Sequence, residues 1–349
     1  MRRPSIKGAI LAGILAGAAL AAAGAPALAR DKAVHLKLAH WVPAKHPIHP
    51  SLVAWGESIT KASNGTITFS YFPAQQLGPA KDHYAMTESG ITDLSFINPG
   101  YTPGQFPVVA AGELPFLITN AKAGSRAFDE WYRRHNAKEM RNVHYCLAFL
   151  HDPGTFHSRE PIVSPAQVKG LKVRPAHATM ARFVNLLGGA SVQVSAPEAR
   201  DAIAKGTADA LTFPWNSVVL FGIDNVTRHH LDMPLYVTTF VMPMNKAKYE
   251  SLSPAQKKVI DAHCTPEWAE KLATPWAEWE AAGREAMAKK AGHTLHRPSA
   301  ADVQAWRKAA EPLQAAWAED VKRAGQDPKA IFDDLIETLR KHKSLYEGH

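Results

Sequence analysis

The segment Val168-Lys169-Gly170-Leu171-Lys172-Val173-Arg174-Pro175 carries the sharpest chemistry in the chain. A glycine turn feeds a short apolar strand that ends on an arginine, so a permanently charged guanidinium would sit on a rigid element. Its planar fork can make two parallel, charge-assisted bonds to a carboxylate. A structural ion pair would use the same residue type, and position and motif leave both readings open. The signatures of covalent, nucleotide and metal chemistry are missing: there is no Gly-x-Ser-x-Gly elbow, no His-Glu-x-x-His, no P-loop and no Gly-x-Gly-x-x-Gly after a strand. Histidines are numerous, and His46/His49, His144/His151/His157 and His229/His230 invite a metal reading. Their spacings match no standard site, so they read as surface or polar-network residues, and neither metal nor cofactor is expected. His177, Ser195 and Asp209 come nearest to an acid, base and nucleophile, but they form no recognised motif.

The elements that would position Arg174 alternate between strands and helices. Leu36, Leu38 and His40 alternate as a strand over 35–40, and Trp41-Val42-Pro43 ends it. Leu52, Val53, Trp55 and Ile59 recur at helical spacing, Asn64-Gly65 stops that helix, and a period-two strand covers 66–71. A helix ending at Gly90 and a strand over 93–97 come next. A second unit follows the same plan: a strand over 192–194, a capping box Ser195-x-x-Glu198, a helix to Lys205, a stop at Gly206 and a strand over 208–212. Two such units predict two lobes, each a sheet flanked by helices. Ligands of open α/β sheets lie beyond the carboxyl ends of the strands. Trp41, Asn98, Tyr101 and the stretch Phe213-Pro214-Trp215-Asn216 are therefore the candidate walls. The last third is helical, with starts at Ser253-Pro254, Ser299 and Asp327-Pro328. Its tryptophans, Trp268, Trp276, Trp279, Trp306 and Trp317, read as packing residues outside the site.

Arg2, Arg3 and Lys7 precede an apolar small-residue run from Ala9 to Ala23, and Ala27-Leu28-Ala29 follows. That is a signal peptide over 1–29 with cleavage after Ala29, which places the mature chain in the periplasm. Its loss lowers the formal charge from +8 to +5, with no basic run interleaved with aromatics, so nucleic acid is excluded as a partner. Cys146 and Cys264 are the only cysteines, and the sequence leaves open whether they pair.

Taken in order, several motifs resemble the periplasmic solute-binding subunits of tripartite ATP-independent periplasmic (TRAP) transporters, the DctP family. They are His40-Trp41-Val42-Pro43, Ser63-Asn64-Gly65, Phe72-Pro73-Ala74-Gln75-Gln76-Leu77-Gly78, Gly90-Ile91-Thr92-Asp93, Glu113-Leu114-Pro115-Phe116, Lys169 to Arg174, Gly206-x-x-Asp209 and Met244-Asn245. The resemblance implies an α/β, two-lobed type II periplasmic binding-protein fold with a hinge and a long interlobe helix. Lobe I would span 30–150 with a return segment near 236–265, and lobe II 151–235, completed by helices over roughly 266–349. It implies that Arg174 clamps the carboxylate of a small organic acid, and that a membrane permease receives it from a monomer or weak dimer. Sialic-acid-binding relatives carry a second arginine in the segment that here reads Gly154 to Ser158, and this chain offers Phe156 and His157. Where those relatives offer an amide, it offers Phe213, with Trp215 two residues on. Burying sugar hydroxyls against rings would leave them unpaired at about 1–3 kcal/mol each. The expected ligand is therefore a carboxylate with an aromatic or apolar body, sandwiched by Tyr101, Phe156, Phe213 and Trp215, with Asn98 or Asn216 reading a hydroxyl or keto group. A C4-dicarboxylate, a small hydroxy or oxo acid, or a role as receptor for a sensor kinase are the alternatives. A secreted enzyme fits less well.

Overall fold

The computed structural model describes residues 31–347, so the expected signal peptide and its cleavage point lie outside the described residues. Strand β1 (Val34–Ala39), helix α1 (Ile48–Ala62) and strand β2 (Ile67–Phe72) form the opening unit. β1 and β2 pair in parallel from Val34↔Ile67 to Ala39↔Phe72. Helix α1 buries Ile48, Leu52, Trp55 and Ile59, the stripe that a 3.6-residue period dictates. Asn64 and Gly65 take positive φ, 51° and 77°, and turn the chain into β2. Helix α2 (His83–Glu88), strand β3 (Leu94–Ser95), helix α3 (Ala121–His135) and strand β4 (Val143–Leu150) follow. The strand expected over 93–97 is shorter than its pattern suggests: only Leu94 and Ser95 join the ladder continuously, with Ile97 bridging Val241.

The chain then enters a second sheet. Its elements are β5 (Thr155–Ser158), β6 (Lys172–Arg174), α4 (Ala178–Leu186), β7 (Ala190–Ser191), α5 (Ala199–Ala204), β8 (Ala210–Phe213), α6 (Trp215–Leu220) and β9 (His229–Leu231). The strand expected over 192–194 is absent. Val194 N donates to Val192 O at 3.0 Å, a tight turn that ends the ladder after Ser191 and aims the Val194 carbonyl at Arg174 instead. The return strand β10 (Thr239–Asn245) goes back to the first sheet. It is followed by α7 (Lys246–Glu250), α8 (Pro254–His263), α9 (Pro266–Ala288), β11 (Thr294–His296), α10 (Ala300–Arg323) and α11 (Pro328–Lys341).

Two sheets result, ordered β2-β1-β3-β10-β4 and β11-β9-β5-β8-β6-β7, each the centre of one lobe. Three stretches join them: residues 151–154, residues 232–238 and helix α9. The first two pair with each other, Gly154 N donating to Tyr236 O at 2.8 Å and Leu235 N to Gly154 O at 3.1 Å. Helix α9 packs against α1, α3 and β4 of the first lobe and against α6 and β11 of the second. At Gly283 it approaches α6 so closely that a Cβ would lie 2.4 Å from Asn216 N, a gap that only glycine permits. Among the described residues no helix is long and apolar enough to cross a membrane.

Cys146 on β4 and Cys264, which ends α8, form a disulfide across 118 positions. It ties the first sheet to the root of α9. In the chain-entropy picture a loop of that size stabilises by roughly 4–5 kcal/mol. Reduction, or replacement of both cysteines by alanine, is expected to lower the melting temperature by several degrees, measured by calorimetry with and without reductant.

Candidate functional site

The carboxyl ends of strands from both sheets converge on one cavity. Trp41 follows β1, Asn98 follows β3 and His151 follows β4, while Arg174 ends β6 and Phe213 ends β8. The linking stretches add Tyr236 and Thr238, β10 adds Phe240 and α9 adds Trp276. The space they enclose is about 360 Å³, part of it open to solvent. That is near the lower end for small-molecule sites, and an interlobe cleft of this type suits a compact ligand.

Arg174 is 1% exposed. Gly170, at φ 80°, turns the chain into β6, where Val173 and Arg174 pair with Ala210 and Leu211 of β8. Its Nε donates to Val194 O at 2.9 Å, one terminal nitrogen to Thr212 O at 3.3 Å and the other to Tyr101 Oη at 3.5 Å. Its guanidinium carbon lies 5.4 Å from the centre of the Phe213 ring. Among the described residues no carboxylate lies within ion-pair distance of it, whereas Arg133, Arg182 and Arg284 each have one within 3 Å. A buried cation without a partner costs several kcal/mol, and an anionic ligand would remove that penalty. Tyr101 spans the lobes: its hydroxyl accepts from Ala196 N at 2.9 Å, and burial raises its pKa against the opposing Arg174 charge. The Tyr236 hydroxyl, also buried, has no hydrogen-bond partner, and burial keeps it protonated.

Of the eight residues expected from sequence, Arg174, Trp41, Asn98, Tyr101 and Phe213 line this cavity, and Phe156, Trp215 and Asn216 do not. Phe156 lies on the far side of β5, its ring 5.4 Å from that of Trp306 on α10, so it is core. Trp215 turns edge-on to His157 at 5.2 Å, behind the sheet. Asn216 belongs to the α6–α9 contact, donating from Nδ2 to Trp279 O at 2.8 Å. Asn98 reaches the cavity, but its amide is committed to the backbone, with Nδ2 donating to Ala176 O at 3.2 Å and Oδ1 accepting from Gly100 N at 2.9 Å. It joins the lobes rather than reading a ligand group.

Sequence reasoning missed Trp276, Tyr236, Phe240, His46 and His151. Trp276 was set among the packing tryptophans, and its face is part of the cavity wall, 5.2 Å from the Phe240 ring. The only signal for it was Pro275, which deprives α9 of one N–H just before it. Glu280, one turn on and fully buried, orients it: Trp276 Nε1 donates to Glu280 Oε1 at 2.9 Å. The other oxygen accepts from Asn216 N at 2.5 Å and Ser217 N at 3.1 Å, and burial pushes this carboxyl up to about 7. Glu280→Ala leaves these donors without a partner. It is expected to cost about 3 kcal/mol of stability and to loosen Trp276, read as a lower unfolding midpoint in urea.

The histidines are not surface residues. His46, His151, His157 and His230 are buried and hydrogen-bonded, and His157 Nδ1 and His230 Nδ1 lie 2.7 Å apart. Among the described residues no group of three or more histidine, cysteine or acidic side chains is arranged to hold a metal. His177, Ser195 and Asp209 go separate ways: to Glu113 at 3.0 Å, to Glu198, and to Lys172 N at 2.8 Å.

Residues 38–320 match the model of the bacterial extracellular solute-binding protein family 7, DctP. A TRAP solute-binding protein of Rhodoferax ferrireducens, solved in complex with copurified benzoate, is 31% identical, with a TM-score of 0.83 over 89% of this chain and 98% of that one. A marine metagenome TRAP solute-binding protein described as specific for aromatic acid ligands, solved with metahydroxyphenylacetate, is 31% identical, with a TM-score of 0.82 over 90% and 100%. One from Bordetella bronchiseptica, with (R)- and (S)-mandelate bound, is 27% identical, with a TM-score of 0.82 over 88% and 99%.

Proposed function

Because this chain belongs to the family 7 extracellular solute-binding proteins, the binding subunits of TRAP transporters, we propose that it captures an aromatic monocarboxylate in the periplasm and delivers it to a membrane permease. One observation carries the reading: a buried arginine with no protein carboxylate beside it opens into a cavity walled by Trp41, Phe213, Tyr236, Phe240 and Trp276. The guanidinium fork holds the carboxylate and the Tyr236 hydroxyl donates a further bond, while the rings take the apolar body. Benzoate, hydroxyphenylacetate and mandelate in the similar solved proteins support the aromatic part of this assignment. A dicarboxylate would need a second cation, and among the cavity residues Arg174 is the only lysine or arginine.

Closure follows from where the wall residues sit. The ligand bridges side chains of both lobes, so it stabilises the arrangement in which they meet over it. The same joint is made without ligand by Asn98 to Ala176 O and by Tyr101 to Ala196 N, which lowers the cost of closing. The linkers at 151–154 and 232–238, together with α9, carry the movement. A monomer or weak dimer suffices for this cycle, and no step in it calls for catalysis. The reading is tested by a thermal-shift screen of the mature protein against aromatic, branched-chain, hydroxy, keto and dicarboxylic acids. A ligand at 100 times its dissociation constant adds about 2.7 kcal/mol. Stabilisation confined to ring-bearing monocarboxylates is expected, and stabilisation by C4-dicarboxylates alone would overturn the aromatic assignment.

A further inference from the structure

Most of the polar side chains around the cavity are already spent. Besides Asn98, His151 uses both ring nitrogens, toward Asp152 O at 2.5 Å and Thr238 Oγ1 at 2.8 Å. Thr212 Oγ1 accepts from Ala176 N at 2.8 Å, and Ser217 Oγ donates to Glu280. Apart from Arg174 and Tyr236, one group stands out: Trp41 Nε1, buried and without a partner, on a residue that is 5% exposed.

That is unlike the chain's other buried indoles. Trp55 donates to His263 O, Trp131 to Ile331 O, Trp276 to Glu280, Trp306 to Val163 O and Trp317 to Pro107 O, all at 2.8–2.9 Å. Five buried tryptophans are satisfied internally, and Trp41, which lines the ligand cavity, is not. Its ring has little freedom to seek a partner elsewhere. It stacks on Phe96 at 5.2 Å and 16°, and packs at 6.0 Å from Tyr101 and 6.3 Å from Phe240. An indole N–H only donates, so its partner must be an acceptor. It follows β1 in the first sheet, whereas Arg174 ends β6 in the second, with the Tyr101 ring beside Trp41 and the Tyr101 hydroxyl on Arg174. A carboxylate drawn to Arg174 therefore leaves the indole for another oxygen.

We propose that the Trp41 N–H is a specificity-determining donor that reads a second oxygen, a hydroxyl or carbonyl, on the aromatic acid and so selects oxygenated acids over their parent compounds. This rests on the aromatic-acid reading and narrows it. It also moves the oxygen-reading role from Asn98 and Asn216, whose amides are occupied, to a residue whose donor is not. One good hydrogen bond, made only by the oxygenated ligand, corresponds to about a tenfold difference in affinity.

The experiment measures dissociation constants by calorimetry for benzoate against 3-hydroxybenzoate, and for phenylacetate against mandelate, in the wild type and in Trp41→Phe. The substitution keeps a ring and removes the donor, and binding of the parent acid serves as the internal control for folding. The wild type is expected to prefer the oxygenated member of at least one pair about tenfold, and Trp41→Phe to erase that preference while holding the parent's affinity within about twofold. A preference that survives Trp41→Phe, or an equal loss on both members of each pair, overturns the assignment. Parent acids that bind the wild type with no preference for the added oxygen overturn it too, and leave the aromatic-acid reading standing. Failure of all four acids to bind the wild type overturns both.

Discussion

Arg174→Ala is expected to weaken binding of the carboxylate ligand by about 10²–10⁴, the cost of about 3–5 kcal/mol for removing one partner of a buried, hydrogen-bonded charge pair. The melting temperature of the ligand-free protein should change little, because two effects oppose each other. The substitution leaves the Val194 and Thr212 carbonyls short of a donor, and it removes a buried cation that has no protein counter-charge. This pairing of outcomes separates a clamp from a structural ion pair, for which the ligand-free protein would lose several kcal/mol. Arg174→Lys should fall between, since a point charge with a rotatable stem cannot reproduce two parallel bonds. Calorimetric titration beside a melting curve of each variant checks both halves.

Acid should unfold this protein well above the carboxylate range. Burial lowers His40 and His151 to about 3, His157 to about 4 and His230 to about 2. Hydrogen bonding explains why the His157 pair must stay neutral. Phe213 O can only accept, so His157 Nε2 carries the proton, and its Nδ1 must accept from His230 Nδ1. His230 Nε2 then accepts from His293 Nδ1 at 2.9 Å. In the unfolded chain each imidazole takes a proton near pH 6.5, and in the folded protein it does not. Their contribution is therefore complete above pH 6.5 and is lost as pH falls, at about 1.4 kcal/mol per unit and per group.

Glu139 and Glu280 act in the opposite sense, both pushed up to about 7 by burial. A carboxyl with a raised pKa stabilises fully below its unfolded value and loses that contribution as pH rises through 7, so these two offset part of the loss between 6.5 and 4.5. Four histidines against two carboxyls leave a net destabilisation on the order of 5 kcal/mol over those two pH units, comparable to the stability of many domains. Melting temperature measured from pH 7 to 4 should fall throughout the lower half of that range. A flat profile down to pH 4 would mean that these histidines are charged in the folded state.

The parts of the site that local pattern could reveal are those at strand ends. Arg174 was legible because a glycine turn, a three-residue strand and a proline bracket it, and Trp41 and Phe213 because each sits where a strand stops. Phe156 and Trp215 were misread for a reason of parity. Successive residues of β5 face opposite sides of the sheet, and which side faces the cleft depends on pairing with β8 and β9, which one strand's sequence does not contain. Trp276, Tyr236 and Phe240 reach the cavity from α9, a linker and a return strand, 60 or more positions from Arg174, so only tertiary contact reveals them. The 192–194 segment alternates like a strand and fails as one because its carbonyl serves Arg174. Pairing of Cys146 with Cys264 likewise depends on β4 and the end of α8 meeting across 118 positions.

The account's central claim is that this cavity holds a carboxylate on Arg174 and an aromatic ring against its walls, and both halves are tested by one titration set. Calorimetry on the mature protein with benzoate, benzyl alcohol and succinate separates charge from ring: benzyl alcohol keeps the ring without the carboxylate, and succinate supplies carboxylates without a ring. The account predicts saturable binding of benzoate and no measurable binding of the other two. Binding of succinate as tight as benzoate, or of benzyl alcohol as tight as benzoate, would contradict it.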